Sequence, residues 1–408
     1  MAFGKKTSAL NCVNMLVTQI QQSKRDGEVL IATFLDLSKA FDKVNLDILL
    51  NTLKQEHIPQ ELINWIHEYL RERTTILKMN NGTEITRITS QGLPQGCPLS
   101  PILFNLHTKI IHTAVFDDDD EISIQFVDDF TAIAKGHNIS TTTNKMNSFL
   151  NRISNVCNSL GMELNPNKSK SIAFTNKYNP TINIKINNDP VFISAYHRFL
   201  GVYIDHKLSY KVHIEKSVIK AKTKLNILKM ISRKRSGAHP RQMLQLTKAI
   251  IRPQLEYGIT ISAAAGKTIF TKLETVHLLA LRTSLRLLNS TPDHVVLYEA
   301  AELLLKLRAE LLTLKELTNT LFYNNSPIIK NLTTIMGSNF IHKHTSYIEK
   351  IAAVNNYHFQ MAQKIKPSGT AKQINQKLQV FDQIDGLNKK KLSTAIQKSM
   401  VLEMIGKQ

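Results

Sequence analysis

Asp36 stands near the end of VLIATFLDL (29–37), a nearly continuous apolar run. Asp128 and Asp129 interrupt a second apolar stretch, ISIQFV-DD-FTAIA (122–134). A carboxylate at the end of an apolar strand is costly unless something offsets its lost hydration. Two adjacent carboxylates on a tight turn repel each other, and a cation relieves that repulsion. If the two strands are neighbours in one sheet, three hard oxygen donors converge at one edge. Such a cluster suits Mg²⁺, which keeps waters and shares substrate phosphates. Two such ions can activate a 3′-hydroxyl and stabilise a leaving pyrophosphate by in-line displacement. The same residues also have a plainer reading. Asp-Asp is a good turn pair on conformational grounds alone, and the acidic run at 117–121 can simply face solvent.

Other residues nearby could serve the same chemistry. QGLPQGCPLSP (91–101) is a loop with two glycines and three prolines feeding a helix. Its glycines permit close backbone approach, and a helix start favours anionic or polar ligands. Phe41 follows Asp36 by five residues and could lie against a nucleotide sugar, or simply pack in the core. Lys168 and Lys170, after Pro166, could neutralise phosphate or merely flank the apolar stretch SIAF.

The elements that must position these residues are of mixed type. The β-branched apolar run 29–37 predicts a buried strand, and 122–134 predicts a β-hairpin with Asp128 and Asp129 at its tip. Residues 199–205, FLGVYID, predict a further strand. Short amphipathic helices are expected at 46–53 and 62–70, separated by Pro59. A helix is expected at 101–115, with Pro101 in its first turn, and another at 141–160, ending at Gly161. From about 208 onward the spacing is helical, broken near 236–240 and 290–292, and the last hundred residues carry no chemical motif. The fold class is α+β.

Composition narrows the function. The chain has 408 residues, 42% of them hydrophobic, enough for a sizeable core. Lys and Arg number 52 against 32 Asp and Glu, giving a net charge of +20. Thirteen of the basic residues lie between positions 207 and 252, against a single acid, Glu215. The apolar residues Ile214, Val218, Leu225 and Leu228 recur there at helical spacing, so one face can pack while the other stays positive. That face, with Lys220, Lys222, Lys224, Arg233, Lys234 and Arg235, is expected to track nucleic-acid phosphates. No stretch of apolar residues is long enough for a membrane span, and the N-terminus has no signal-peptide core. Cys12, Cys97 and Cys157 sit too far apart for a disulfide framework or structural zinc, which fits an intracellular setting. Arg233-Lys-Arg235 would also serve nuclear import.

Five motifs in order are more specific than any one of them. FLDLSKAFDKV (34–44), GLPQGCPLSP (92–101), FVDD (126–129), LGMELNPNKSK (160–170) and FLGVYID (199–205) closely resemble the successive palm motifs of reverse transcriptases. The variant is similar to that of non-LTR, LINE-like retrotransposons of the jockey and I type. The resemblance continues more weakly through PQLEYGITI (253–261) and LRTSLRLLNSTP (281–292).

The resemblance implies a right-hand polymerase: partial fingers and palm over 1–205, a basic helical thumb and connector over 206–310, and a helical C-terminal region over 311–408. It implies an RNA-directed DNA polymerase that uses an RNA template, a DNA primer, deoxynucleoside triphosphates and Mg²⁺, with Mn²⁺ as a substitute. Asp36, Asp128 and Asp129 match the catalytic, metal-binding triad. Phe41 matches the residue that bars a ribose 2′-hydroxyl, Gln95 and Gly96 the loop under the incoming nucleotide, and Lys168 the lysine near the triphosphate. Phe199, Leu200 and Gly201 match the primer-grip strand. Val127 stands where alanine is commoner, and Cys97 where many relatives have serine. The fingers strands that would precede residue 1 are absent, so the chain is expected to be truncated at both ends. That absence leaves a second expectation, a nucleic-acid-binding remnant without catalysis; a third is a maturase-like RNA-binding protein built on the same palm.

Overall fold

The structure is a computed structural model that describes residues 8–114, 120–175, 182–232, 237–322, 383–384 and 387–388. The chain divides into two units, Met1–Asn356 and Tyr357–Gln408. In the first unit, α1 (Ala9–Arg25) leads into β1 (Val29–Leu35), followed by α2 (Leu46–Gln55) and α3 (Gln60–Leu70). A hairpin of β2 (Arg73–Lys78) and β3 (Glu84–Thr89) precedes α4 (Ser100–Ala114). Then come the hairpin of β4 (Glu121–Phe126) and β5 (Asp129–Gly136), helix α5 (Ile139–Ser159) and β6 (Lys170–Phe174). The short strands β7 (Lys185–Ile186), β8 (Asp189–Pro190) and β9 (Phe192–Ile193) lead to the hairpin of β10 (Tyr196–Phe199) and β11 (Val202–Asp205).

Five strands form one sheet in the order β4-β5-β1-β6-β9, antiparallel except for the last pair. All seven residues of β1 are buried, which is why it reads as an apolar run broken only by Thr33. Side chains alternate between faces along a strand. Val29, Ile31 and Leu35 therefore pack with α2, α3, α4 and α5 on one side. Leu30, Ala32 and Phe34 pack with α1 and the β10–β11 hairpin on the other. Helix starts carry their expected caps: the Ser8, Asn45 and Asn138 side chains accept from the backbone N–H groups of Asn11, Ile48 and Thr141.

The elements described after β11 in the first unit are helical. Helix α6 (Lys211–Ile231) packs along α10 (Lys267–Leu285), around a core that also takes in α7 (Pro240–Leu246), α8 (Arg252–Glu256), α9 (Ile259–Ser262) and a π-helical turn at Thr247–Ile251. Helices α11 (Asp293–Ala300) and α12 (Leu305–Phe322) follow. Among the described residues no helix is long and apolar enough to cross a membrane.

Four expectations need correction. The β4–β5 hairpin turns on Val127 and Asp128, while Asp129 opens β5 and pairs with Phe126. Residues 199–205 are not one strand, because Leu200 and Gly201 form the turn between β10 and β11. The boundary expected at 310 falls inside α12, whose Leu305 and Ala309 belong to the core of the preceding helices. In the second unit, Gln383–Ile384 pairs with Leu387–Asn388 as short antiparallel strands where helix was expected.

Candidate active site at the sheet edge

The register of β1 and β5 places the first carboxylates. Leu35 pairs with Phe130. One step further along each strand are Asp36 and Asp129, with Asp128 beside them in the turn. Like charges facing each other across strands repel. Burial among neighbouring groups, then the charge of Asp128, then that of Asp36, hold the Asp129 carboxyl above the usual carboxylate range.

Asp36 is fixed by the segment after α5. Its N–H donates to Ser169 Oγ (3.2 Å), and its carbonyl accepts from the Asn165 N–H (2.8 Å). Leu37 forms an isolated bridge with Leu164, and the Ser38 N–H donates to the Glu163 carbonyl (2.9 Å). The same segment brings Lys168 Nζ to 3.9 Å from Asp36 Oδ2. Lys170 instead lies in β6, paired with Phe34.

The turn carrying Asp128 is supported from α4 by a network that sequence reasoning missed. Val127 has φ +58°, a conformation costly for a β-branched residue. Gln125 Nε2 donates to the Val127 carbonyl and to Thr108 Oγ1, both at 2.8 Å. His112 Nε2 donates to Gln125 Oε1 (2.8 Å), and its Nδ1 lies 2.6 Å from Ser123 Oγ, which in the neutral ring donates to it. Burial pushes the His112 pKa down, in keeping with that state. The available signal was faint: Thr108 and His112 lie four apart on one helix face, and Gln125 is a lone amide in an apolar strand.

The 91–101 loop lies against the segment after Asp36. Gly92 has φ +74°, and a Cβ there would sit 2.6 Å from the Asp42 carbonyl oxygen. The Leu93 N–H donates to the Phe41 carbonyl (2.7 Å), and Arg73 binds the carbonyls of Gln91 and Gly92 (2.7 and 2.8 Å). Gln95 is exposed, with Nε2 at 3.4 Å from Asp42 Oδ1. Gly96 has φ +86° with open space at its Cβ position, so backbone conformation is what favours glycine there. Phe41 is half-buried, stacked on Phe104 with centroids 4.7 Å apart.

Phe199 is buried, its ring centroid 5.4 Å from that of Phe34, two residues before Asp36. His197 stacks on the same Phe34 at 4.3 Å, and burial with nearby Lys170 lowers its pKa to about 4. On α6, Lys220 and Lys222 are exposed, whereas Lys224 is half-buried, with Nζ 3.5 Å from the Ile250 carbonyl. Arg233, Lys234 and Arg235 lie outside the described residues.

Among the described residues no three His, Cys, Asp or Glu side chains are drawn together closely enough to hold a metal ion as they stand. The three aspartates share an edge without closing on a point. Their chemistry nevertheless fits a hard divalent cation, since all donors are carboxylate oxygens and burial, followed by the charges of Asp128 and Asp36, raises the pKa of Asp129. Asp128 and Asp129 are exposed, and the Asp36 side chain is 42% exposed.

Residues 2–204 match the family model described as reverse transcriptase (RNA-dependent DNA polymerase). Over 265 residues the chain is 23% identical to the RNA-directed DNA polymerase from mobile element jockey of Drosophila melanogaster, covering 64% of this chain and 29% of that protein. Over 288 residues it is 23% identical to the probable RNA-directed DNA polymerase from transposon BS of the same species, covering 69% and 32%. The chain thus spans about a third of the length of these relatives. A structure of apo telomerase from Candida tropicalis aligns at 14% identity and a TM-score of 0.38, covering 67% of this chain and 45% of that one. The ordered motifs, the sheet edge they build and the match over residues 2–204 place this chain in the reverse transcriptase family, with its relatives among non-LTR retrotransposons.

Proposed function

We propose that the chain is an RNA-directed DNA polymerase that adds deoxynucleotides to a primer 3′-hydroxyl along an RNA template. The observation that carries this reading is the alignment of Asp36 with Asp129 across β1 and β5, with Asp128 beside them and Lys168 Nζ 3.9 Å from Asp36. Reverse transcriptases depend on a divalent metal in general; our finer reading is Mg²⁺, replaceable by Mn²⁺, held by Asp36, Asp128 and Asp129. When bound, such ions supply charge neutralisation at the attacking and leaving oxygens.

The chain's own residues do the rest. Lys168 offers an exposed cation beside Asp36 for the triphosphate. Gln95 and Gly96 present an exposed loop edge to the nucleotide and template. Phe41, braced by Phe104, limits space near the sugar. The turn at Phe199, Leu200 and Gly201 receives the primer end. The exposed face of α6, with Lys220 and Lys222, tracks the duplex backbone, while base pairing supplies sequence information. Arg233, Lys234 and Arg235 add positive charge in the sequence just after α6, for the same phosphate backbone in our reading.

Primer extension tests the proposal, on poly(rA)–oligo(dT) with dTTP and Mg²⁺ or Mn²⁺. Extension that disappears in Asp128→Asn is the expected result. No extension with either metal, with duplex binding retained, would sink the polymerase reading and favour a nucleic-acid-binding remnant.

A further inference from the structure

The Leu200–Gly201 turn is not held by its own hairpin alone. Tyr257, which follows α8, donates its hydroxyl to the Leu200 carbonyl at 2.5 Å. Its ring occupies the space that a side chain on residue 201 would need, since a Cβ on Gly201 would lie 2.7 Å from Tyr257 Cε1. Leu200 and Gly201 both have positive φ, +45° and +87°. The interlock is reciprocal. Gly258 has φ +70°, and a Cβ there would lie 2.9 Å from Val202 Cγ2. Each side thus contributes a glycine that admits the other's side chain.

His213 of α6 closes the arrangement. It is buried, with Nε2 3.1 Å from the Tyr257 carbonyl and Nδ1 3.4 Å from the Tyr203 backbone nitrogen. A carbonyl can only accept and an amide N–H can only donate. The ring is therefore neutral, with its proton on Nε2. Helix α6 carries His213 on its buried face and Lys220 and Lys222 on its exposed face. At the other end of the chain of contacts, Phe199 and His197 pack on Phe34, two residues before Asp36. Tyr257 itself is 40% exposed, so the latch faces the open side of the turn.

We infer that Tyr257 and His213 are positioning residues that lock the Leu200–Gly201 turn to α6. A duplex lying on α6 and a primer terminus lying on the turn then keep one register relative to Asp36, Asp128 and Asp129. This rests on the polymerase reading above, and its test separates the two.

The full chain is compared with Tyr257→Phe, His213→Gln and His213→Ala. Gln preserves a donor toward the Tyr257 carbonyl and Ala preserves none. Three quantities are read: hydrogen exchange over residues 199–204, fluorescence of 2-aminopurine at the primer 3′ end of an RNA–DNA duplex, and the single-turnover extension rate. Tyr257→Phe removes one hydrogen bond, and about a tenfold change in exchange and in extension rate is expected. The 2-aminopurine signal should shift, while duplex affinity stays within about twofold and the melting temperature within ~2 °C. His213→Gln should recover most of what His213→Ala loses. Unchanged exchange over 199–204 in Tyr257→Phe overturns the latch. A parallel fall in melting temperature, duplex affinity and rate also overturns it, by reducing Tyr257 to a folding contact. A wild-type chain that does not extend primers sinks the polymerase reading alone, and exchange still decides the latch.

Discussion

Two tight turns in this molecule solve the same problem in opposite ways. The Val127–Asp128 turn must present charge, and the Leu200–Gly201 turn must present backbone. The first places a β-branched residue at φ +58° and braces it from below through Gln125, Thr108 and His112. The second uses Gly201 at φ +87° and is braced from the helical region by Tyr257. In the first turn the support comes from buried side chains of α4 and β4, and strain is tolerated. In the second the support comes from a half-exposed ring that fits only because Gly201 has no side chain. The carboxylate-bearing turn rests on a polar network beneath it, while the second turn depends on one ring that reaches it from the helical region.

The largest expected effect breaks the first turn's chemistry and leaves its shape. Asp128→Asn should lower the extension rate by roughly 10³-fold or more, with duplex affinity unchanged, read by single-turnover extension beside a binding titration. Surviving extension would remove Asp128 from the site. Next come the two braces. Gln125→Leu leaves the Val127 carbonyl and Thr108 without their partner and should cost about 1–3 kcal/mol in urea unfolding. Gly201→Ala forces a Cβ toward the Tyr257 ring at positive φ and should cost a similar ~1–3 kcal/mol. If Gly201→Ala proved neutral, the second turn would be free of its brace.

Acid should loosen both turns together. Burial depresses the pKa of His112 and His213, and a proton on His213 would also remove the Nδ1 acceptor that the Tyr203 N–H uses. A depressed folded pKa means that the unfolded chain binds the proton first. Stability is therefore full above the unfolded value of about 6.5 and is lost as pH falls below it. His197 and His277, each lowered to about 4, extend the same loss down to that pH. Melting curves between neutral pH and pH 4 check the slope, and His112→Gln should flatten it. The smallest effect sharpens the contrast: Val127→Asn relieves left-handed strain and should gain less than about 1 kcal/mol.

These two turns also mark how far the sequence can be read. Strand β1 was legible because burial on both faces leaves seven consecutive buried residues. The aspartates were legible because charge at the end of such a run is conspicuous. The β10–β11 turn was not, since nothing in Phe199-Leu-Gly-Val202 announces a leucine at positive φ. Lys168 was preferred over Lys170 only through its motif, and it approaches Asp36 in the segment joined to the first strand by the Leu37–Leu164 bridge. The β2–β3 hairpin escaped notice although Asn81-Gly82 is a turn signal, because Ile76, Leu77, Ile85 and Ile88 stay exposed and give no burial pattern. Gln125, Thr108 and His112 meet only through tertiary geometry.

Strand β1 has a consequence for how the protein is made. Its hydrogen-bonding partners are β5 and β6, at residues 129–136 and 170–174, and its second face is covered in part by residues near 199–210. A ribosome delivers β1 long before any of them. Until they emerge, a strand apolar but for Thr33, with two unpaired edges, remains available to other nascent chains, a recognised hazard of non-local pairing. Early α1 can shield one face, since Leu16 and Ile20 pack in the same cluster as Leu30 and Phe34. Slower synthesis at low temperature, or a holding chaperone, should therefore raise soluble yield more than any change near the carboxylates.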